Sequence, residues 1–249
     1  MSPREAIERF HLAFLGALGG ALDKKLYAVK GGVNLRFFHG SPRSSEDLDL
    51  DVQTVEKGTL RRKVDKLLAS RPLELRLAAS GSSIVGVSAP KQTETTQRWK
   101  IRLRAGAAAV EVATKIEVSR RGLDDGVELG PVDPVIVAAY GVSPVMAPHY
   151  ARKAAITQKI LALAGRTETQ ARDVFDLDYL LRGGPMPPGL AAEARHEARA
   201  AAARAMTVSY DHFAGQVLPY LGDDDRAVWD AATWEDALLR VTTALEKVG

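Results

Sequence analysis

Three aspartates alternate with leucines in Asp47-Leu-Asp49-Leu-Asp51. Successive side chains of a strand point to opposite faces, so a strand here sets all three carboxylates on one face and Leu48, Leu50 and Val52 on the other. Neighbouring carboxylates then lie about 7 Å apart along the strand. Such crowding is relieved by protonation, by partner cations or by a metal. Mg²⁺ is held through one or two carboxylates plus substrate phosphates, which makes a metal–nucleotide site the functional reading and a solvated acidic strand the plain one. Upstream, Lys30-Gly-Gly-Val-Asn-Leu-Arg36 places two glycines where a short strand turns into a helix. Glycines there let backbone N–H groups approach a phosphate, and a helix N-terminus favours the anion.

A second constellation lies far along the chain, in Lys159…Arg166…Arg172-Asp173-Val-Phe-Asp176-Leu-Asp178. Asp173 and Asp176 share one helix face beside apolar residues, so they require partners. Lys159 and Arg166 on the preceding helix can supply the charge, as interhelical ion pairs or as cations for a triphosphate.

Positioning these residues requires an ordered set of elements. Ser2, Pro3 and Glu5 form an N-terminal helix signal, and Ile7, Phe10, Phe14, Leu15 and Leu18 give a core stripe over 3–24. A strand at 26–29, a short helix at 33–38 and the aspartate strand at 47–52 follow, then a basic helix over 55–70. Alternation predicts strands at 73–79, 84–88, 98–104 and 110–118. Residues 122–130 read as a loop and 134–140 as a helix capped by Asp133. Gly141, Pro144 and Pro148 break the chain, which predicts domains at 1–142 and 143–249. The second half is alanine-rich, with helices predicted at 149–165, 168–182, 188–206, 208–221 and 233–247.

Composition sets outer limits. The 249 residues are 46% apolar and 26% charged, those of an ordinary globular protein. Net charge is only +3, so nucleic-acid binding turns on distribution, and the basic faces at 57–66 and 98–104 are the candidates. There is no cysteine, which excludes disulfides, thiolate metal sites and a cysteine nucleophile and fits a reducing compartment. No histidine is spaced with another as a metal pair. The apolar run Leu12–Leu22 has acidic flanks and no cleavage signal, so it reads as a core helix and not as a signal peptide. No run approaches the ~20 apolar residues a membrane span needs.

The Lys-Gly-Gly-x-x-Leu-Arg block, followed by Arg43-x-Ser-x-Asp-Leu-Asp-Leu, resembles the AbiEii/MenT-type nucleotidyltransferase toxins of the polymerase-β-like superfamily. Lys159…Arg172-Asp-x-x-Asp-Leu is similar to their C-terminal signature, and Lys115-Ile-Glu117-Val-Ser-Arg to the strand that carries a further acid. The resemblance spans roughly 30–180. It implies an α+β chain, with a polymerase-β-like nucleotidyltransferase domain on a mixed sheet followed by a helical bundle. It implies Mg²⁺ on Asp47 and Asp49, or on Asp49 and Asp51, with Glu117 as the third acid and a candidate general base. Lys30, Gly31, Gly32, Asn34, Ser45, Lys159 and Arg166 are implied around the triphosphate, with Asp173 or Asp176 orienting the lysine. The implied reaction is transfer of a nucleoside monophosphate from an NTP to an acceptor hydroxyl, with the 3′ end of a tRNA as expected acceptor. The implied setting is the cytoplasm, as a toxin with a co-encoded antitoxin. A small molecule or protein side chain as acceptor, and a degenerate non-enzymatic binder, are the rival readings.

Overall fold

The computed structural model describes residues 1–106 and 108–248. The chain divides into two compact units, Met1–Gly40 with Ser44–Tyr150, and Ser41–Arg43 with Ala151–Gly249. The first is α+β and the second is helical.

The first unit begins with α1 (Pro3–Ala21), β1 (Tyr27–Lys30), α2 (Gly31–Phe38) and β2 (Asp47–Val52). Next come α3 (Lys57–Leu68), α4 (Arg71–Ala79), β3 (Ser82–Gln92), β4 (Thr96–Ala105) and β5 (Val110–Ser119). It closes with β6 (Val127–Pro131), α5 (Pro134–Tyr140) and β7 (Met146–Tyr150). One seven-stranded sheet has the order β3-β4-β5-β2-β1-β7-β6. It is mixed: β1 pairs parallel with β7 and β2 parallel with β5, while the other pairings are antiparallel.

Local chemistry explains most boundaries. Ser2 and Glu5 form the capping box of α1, and Pro3 occupies its first turn. Phe10, Phe14, Leu15 and Leu18 of that helix enter the core with Leu48, Leu50, Trp99 and Ile116. Asp133 caps α5 through the Val135 N–H.

Three expectations are corrected. Residues 73–79 are helix and not strand: Pro72 sits in the first turn of α4, and Leu73 and Leu77, four apart, are buried while Leu75 faces solvent. Alternation and helical spacing coincide over so short a run. The loop expected at 122–130 contains the start of β6, and the helix expected from 149 is preceded by β7. Short strands carrying Gly130, Pro131 and Pro148 have no recognisable period, and they form because each pairs with the other in the register Leu129↔Pro148. The sheet of the first unit therefore runs on to Tyr150.

In the second unit, α6 (Arg152–Gly165), α7 (Ala171–Arg182) and α8 (Ala192–Ala205) are followed by α9 (Tyr210–Gln216), α10 (Asp223–Ala227) and α11 (Ala231–Glu246). Ala194, Ala198, Ala201 and Ala202 give α8 a small-residue buried face that packs against α6 and α11. Phe175, Phe213 and Trp234 build the aromatic centre, where Phe213 and Trp234 stack with ring centroids 4.4 Å apart. Among the described residues no helix is long and apolar enough to cross a membrane.

Leu50 is 2% exposed on the core face of β2. Leu50→Ala is expected to lower unfolding free energy by about 2–5 kcal/mol, measured by denaturant titration.

Candidate active site

The aspartate strand forms as its alternation requires. Leu48, Leu50 and Val52 are buried in the core, leaving Asp47, Asp49 and Asp51 on the opposite face. Parallel pairing of β2 with β5 sets Asp47 beside Lys115 and Asp49 beside Glu117. Antiparallel pairing sets Lys30 opposite Asp49 on one side and Arg98 opposite Glu117 on the other. Directly opposite and diagonal side chains on one face can interact, and Lys30, opposite Asp49, reaches along the diagonal to Asp51.

The resulting electrostatics are uneven. Asp51 is 5% exposed and both its oxygens are taken: Lys30 Nζ donates to Oδ1 at 2.6 Å and Tyr150 Oη donates to Oδ2 at 2.8 Å. Asp47 pairs with Lys115 at 2.8 Å, and Arg98 Nε donates to Glu117 at 2.7 Å. Four carboxylates thus meet three cations, and Asp49 has no hydrogen-bond or ion-pair partner among the described residues. Burial, followed by repulsion from Asp47 and Glu117, holds the Asp49 carboxyl above its ordinary pKa despite Lys30 and Lys115 nearby. The acidic face is therefore one positive charge short, at Asp49. Among the described residues no group of three or more acidic or histidine side chains is arranged to hold a metal alone. Two carboxylates plus substrate phosphates is the Mg²⁺ pattern, so the donor set fits.

Gly31 adjoins Asp49. Its φ is +67°, and a Cβ there would lie 2.9 Å from Asp49 Oδ2. Both conformation and space therefore demand glycine. The α2 helix opens at Gly31, earlier than periodicity indicates, and its N-cap residue Lys30 makes no side-chain cap hydrogen bond. Its first-turn N–H groups have no side-chain acceptor from the cap, which suits an anion. Asn34 is turned inward at 1% exposure, and its Nδ2 donates to the Tyr150 carbonyl at 2.9 Å. Ser45 Oγ donates to the Asp47 carbonyl at 3.0 Å. Beside Asp47 a cavity of about 820 Å³ is lined by Glu46, Lys100, Arg102, Thr114 and Lys115 among others.

In the helical unit, Lys159 Nζ donates to Asp173 at 3.0 Å and pairs with Asp176 at 2.6 Å, while Arg166 Nε donates to Asp173 at 2.6 Å. These are the interhelical ion pairs that the sequence suggested. Arg43, which groups with this unit, adds a two-pronged bond to Asp176, at 3.0 Å from Nε and 2.8 Å from Nη2. Lys159 and Arg43 are both buried, and Asp173 and Asp176 fully so. Burial alone raises a carboxyl pKa, but Arg43 and Lys159 outweigh it and hold Asp176 below its ordinary value. Burial likewise opposes the charge of Lys159, and Asp176 and Asp173 overcome it to raise the lysine. The third helix acid, Asp178, is bound instead to Arg182 and Arg240, each at 2.8 Å.

Sequence reasoning assigned no site role to Arg43 or Tyr150, and placed Arg98 only on the basic face at 98–104. Arg43 was visible as part of the Arg-x-Ser-x-Asp block. Arg98 becomes a neighbour of Glu117 only through the β4–β5 register, and no sequence signal marks Tyr150.

The sequence matches the family model described as "Nucleotidyl transferase AbiEii toxin, Type IV TA system" over residues 13–246. No match was found among curated proteins. Similar solved structures include JHP933 from Helicobacter pylori, with a TM-score of 0.65 and 17% identity, covering 100% of this chain and 92% of that one. They also include MenT4, a nucleotidyltransferase toxin from Mycobacterium tuberculosis H37Rv, with a TM-score of 0.62 and 18% identity, covering 98% of this chain and 85% of that one. At these identities the likeness carries the fold alone.

Two stability predictions follow from the charges. Ionised Asp49 costs stability, because its folded-state pKa lies above the unfolded one. Asp49→Asn is expected to raise the melting temperature at neutral pH. The gain should vanish below about pH 4, where the carboxyl is protonated in both states. Asp176 has the opposite sign: its contribution is present above the unfolded carboxyl pKa and is lost as pH falls through its depressed folded value. Asp176→Ala leaves buried cations unpaired and is expected to cost about 3–5 kcal/mol at neutral pH in denaturant titrations.

Proposed function

We propose the reaction of this chain from one premise: it belongs to the AbiEii nucleotidyl transferase toxin family. The proposed activity is transfer of a nucleoside monophosphate from an NTP to an acceptor hydroxyl. The observation that carries it is Asp49, a carboxylate left without a counter-charge between Asp47 and Glu117.

Asp47 and Asp49 are the proposed Mg²⁺ ligands, since Asp51 is already taken by Lys30 and Tyr150. Held by Asp47 and Asp49, the ion would neutralise negative charge on the triphosphate. The first-turn N–H groups of Gly31 and Gly32 receive the triphosphate, with Lys30 and Ser45 at its margin. Asn34, through Tyr150, fixes the helix that presents those N–H groups. The acceptor oxygen bonds to the α-phosphorus, the bond to the β-phosphate oxygen breaks, and pyrophosphate leaves. The acceptor proton passes to Glu117, which Arg98 orients. We assign the phosphate-contacting role implied by the family resemblance to Lys159 and Arg166 of the helical unit. Asp173 and Asp176 hold the Lys159 ammonium in one place.

The acceptor class is read from the cavity beside Asp47. Lys100, Arg102 and Lys115 line it against Glu46 and Asp47, an excess of one positive charge that supports an anionic acceptor over a cationic small molecule such as an aminoglycoside. An RNA 3′ hydroxyl, as on tRNA, is the acceptor we propose, in the cytoplasm, with toxicity relieved by a co-encoded antitoxin.

Incubation with Mg²⁺, each labelled NTP in turn and total tRNA is expected to label RNA; absence of label from all four nucleotides sinks the reading. Asp49→Asn is expected to lower transfer by on the order of 10³-fold with the fold intact by circular dichroism. Lys159→Met is expected to lower transfer beyond what its loss of folded fraction explains, checked by assaying below its melting transition.

A further inference from the structure

The helical unit carries a second cavity, of about 740 Å³, walled by the Gly184–Leu190 segment and one side of α11. Its chemistry is different from that of the cavity beside Asp47. The lining is chiefly aliphatic and proline, and Leu239 in it is 65% exposed, although Val241 and Leu245 of the same helix are buried. Four cations, Arg182, Arg195, Arg240 and Lys247, line the same cavity, and no lining residue among those described is acidic. Arg182 and Arg240 share the single buried carboxylate of Asp178. Arg195 and Lys247 have no ion-pair partner among the described residues. The cavity wall therefore combines uncovered apolar surface with an excess of three positive charges.

We infer that this groove docks an acidic amphipathic segment of a partner protein. Apolar side chains of the segment cover Leu239 and Met186, and its carboxylates meet Arg195, Lys247 and the outer faces of Arg182 and Arg240. This is the helix-in-groove mode of recognition, with rim charges selecting the partner. The apolar lining argues against a nucleic-acid strand, which is gripped by aromatic stacking platforms, because no aromatic residue among those described lines the cavity. The inference goes beyond the proposed transfer reaction and does not depend on it.

The test is fluorescence anisotropy of three labelled synthetic peptides titrated with the full chain. One is a helix-forming Glu/Leu amphipathic peptide, one its Lys/Leu charge-reversed counterpart, and one a Glu/Ser peptide without apolar residues. Saturable 1:1 binding of the Glu/Leu peptide alone is expected, weakened at high salt. Affinity is expected to fall by about ten-fold in the Arg195→Glu/Lys247→Glu double variant, and also in Leu239→Ser. All three positions are solvent-exposed, and circular dichroism and tRNA labelling are expected to match those of the unsubstituted chain. Failure of the Glu/Leu peptide to bind overturns the inference, as does binding unchanged by both variants. Two other outcomes also overturn it: loss of self-association in the double variant, seen by sedimentation, which assigns the groove to a second copy, and variant-sensitive binding to phosphatidylglycerol vesicles or to oligo(U) without binding of the peptide.

Discussion

The parallel pairing of β2 with β5 is the constraint on which the site depends. It places Asp49 against Glu117, two residues along from the Asp47 and Lys115 pair, on a surface where like charges repel. The surrounding strands answer that repulsion one cation at a time. Lys30 goes to Asp51, Lys115 to Asp47 and Arg98 to Glu117. The set is complete except at Asp49, where burial and the neighbouring acids hold the carboxyl above its ordinary pKa and its ionised form costs stability. Gly31 extends the same constraint into the backbone, because any larger residue would push its Cβ into the Asp49 carboxylate.

The helical unit handles charge in the opposite way. Arg43, Lys159 and Arg166 surround Asp173 and Asp176 until each buried carboxylate is over-supplied with donors. Burial opposes the charged forms of Lys159 and Asp176, and mutual attraction at short distance outweighs it, raising the lysine pKa and lowering the aspartate's. A fully satisfied network of this kind specifies one arrangement of α6 against α7, since a slip of one turn would leave charges unpaired in the interior. Arg43, which groups with the helical unit although it precedes β2 in sequence, adds its guanidinium to that network.

Much of this was legible in the sequence where the signal was local. The capping box at Ser2 and Glu5, the alternation from Asp47 to Val52 and the Lys159/Asp173 pair each depend on residues close in sequence or on one period. The misreadings at 73–79, 122–130 and around 149 fall where the period is short or interrupted by proline, and where partner strands supply the missing information.

The sequence by itself determined that three carboxylates share one strand face, that glycine precedes them at a strand-to-helix turn, and that the chain carries the signatures of a nucleotidyltransferase toxin family. Side-chain alternation and backbone sterics are fixed by covalent geometry, so they can be read without a fold. Only the tertiary structure decided which of the three aspartates is left without a partner. Asp47, Asp49 and Asp51 are equivalent along the strand. They become different because Lys115, Glu117, Lys30 and Tyr150 arrive from other strands, in a register that long-range pairing sets.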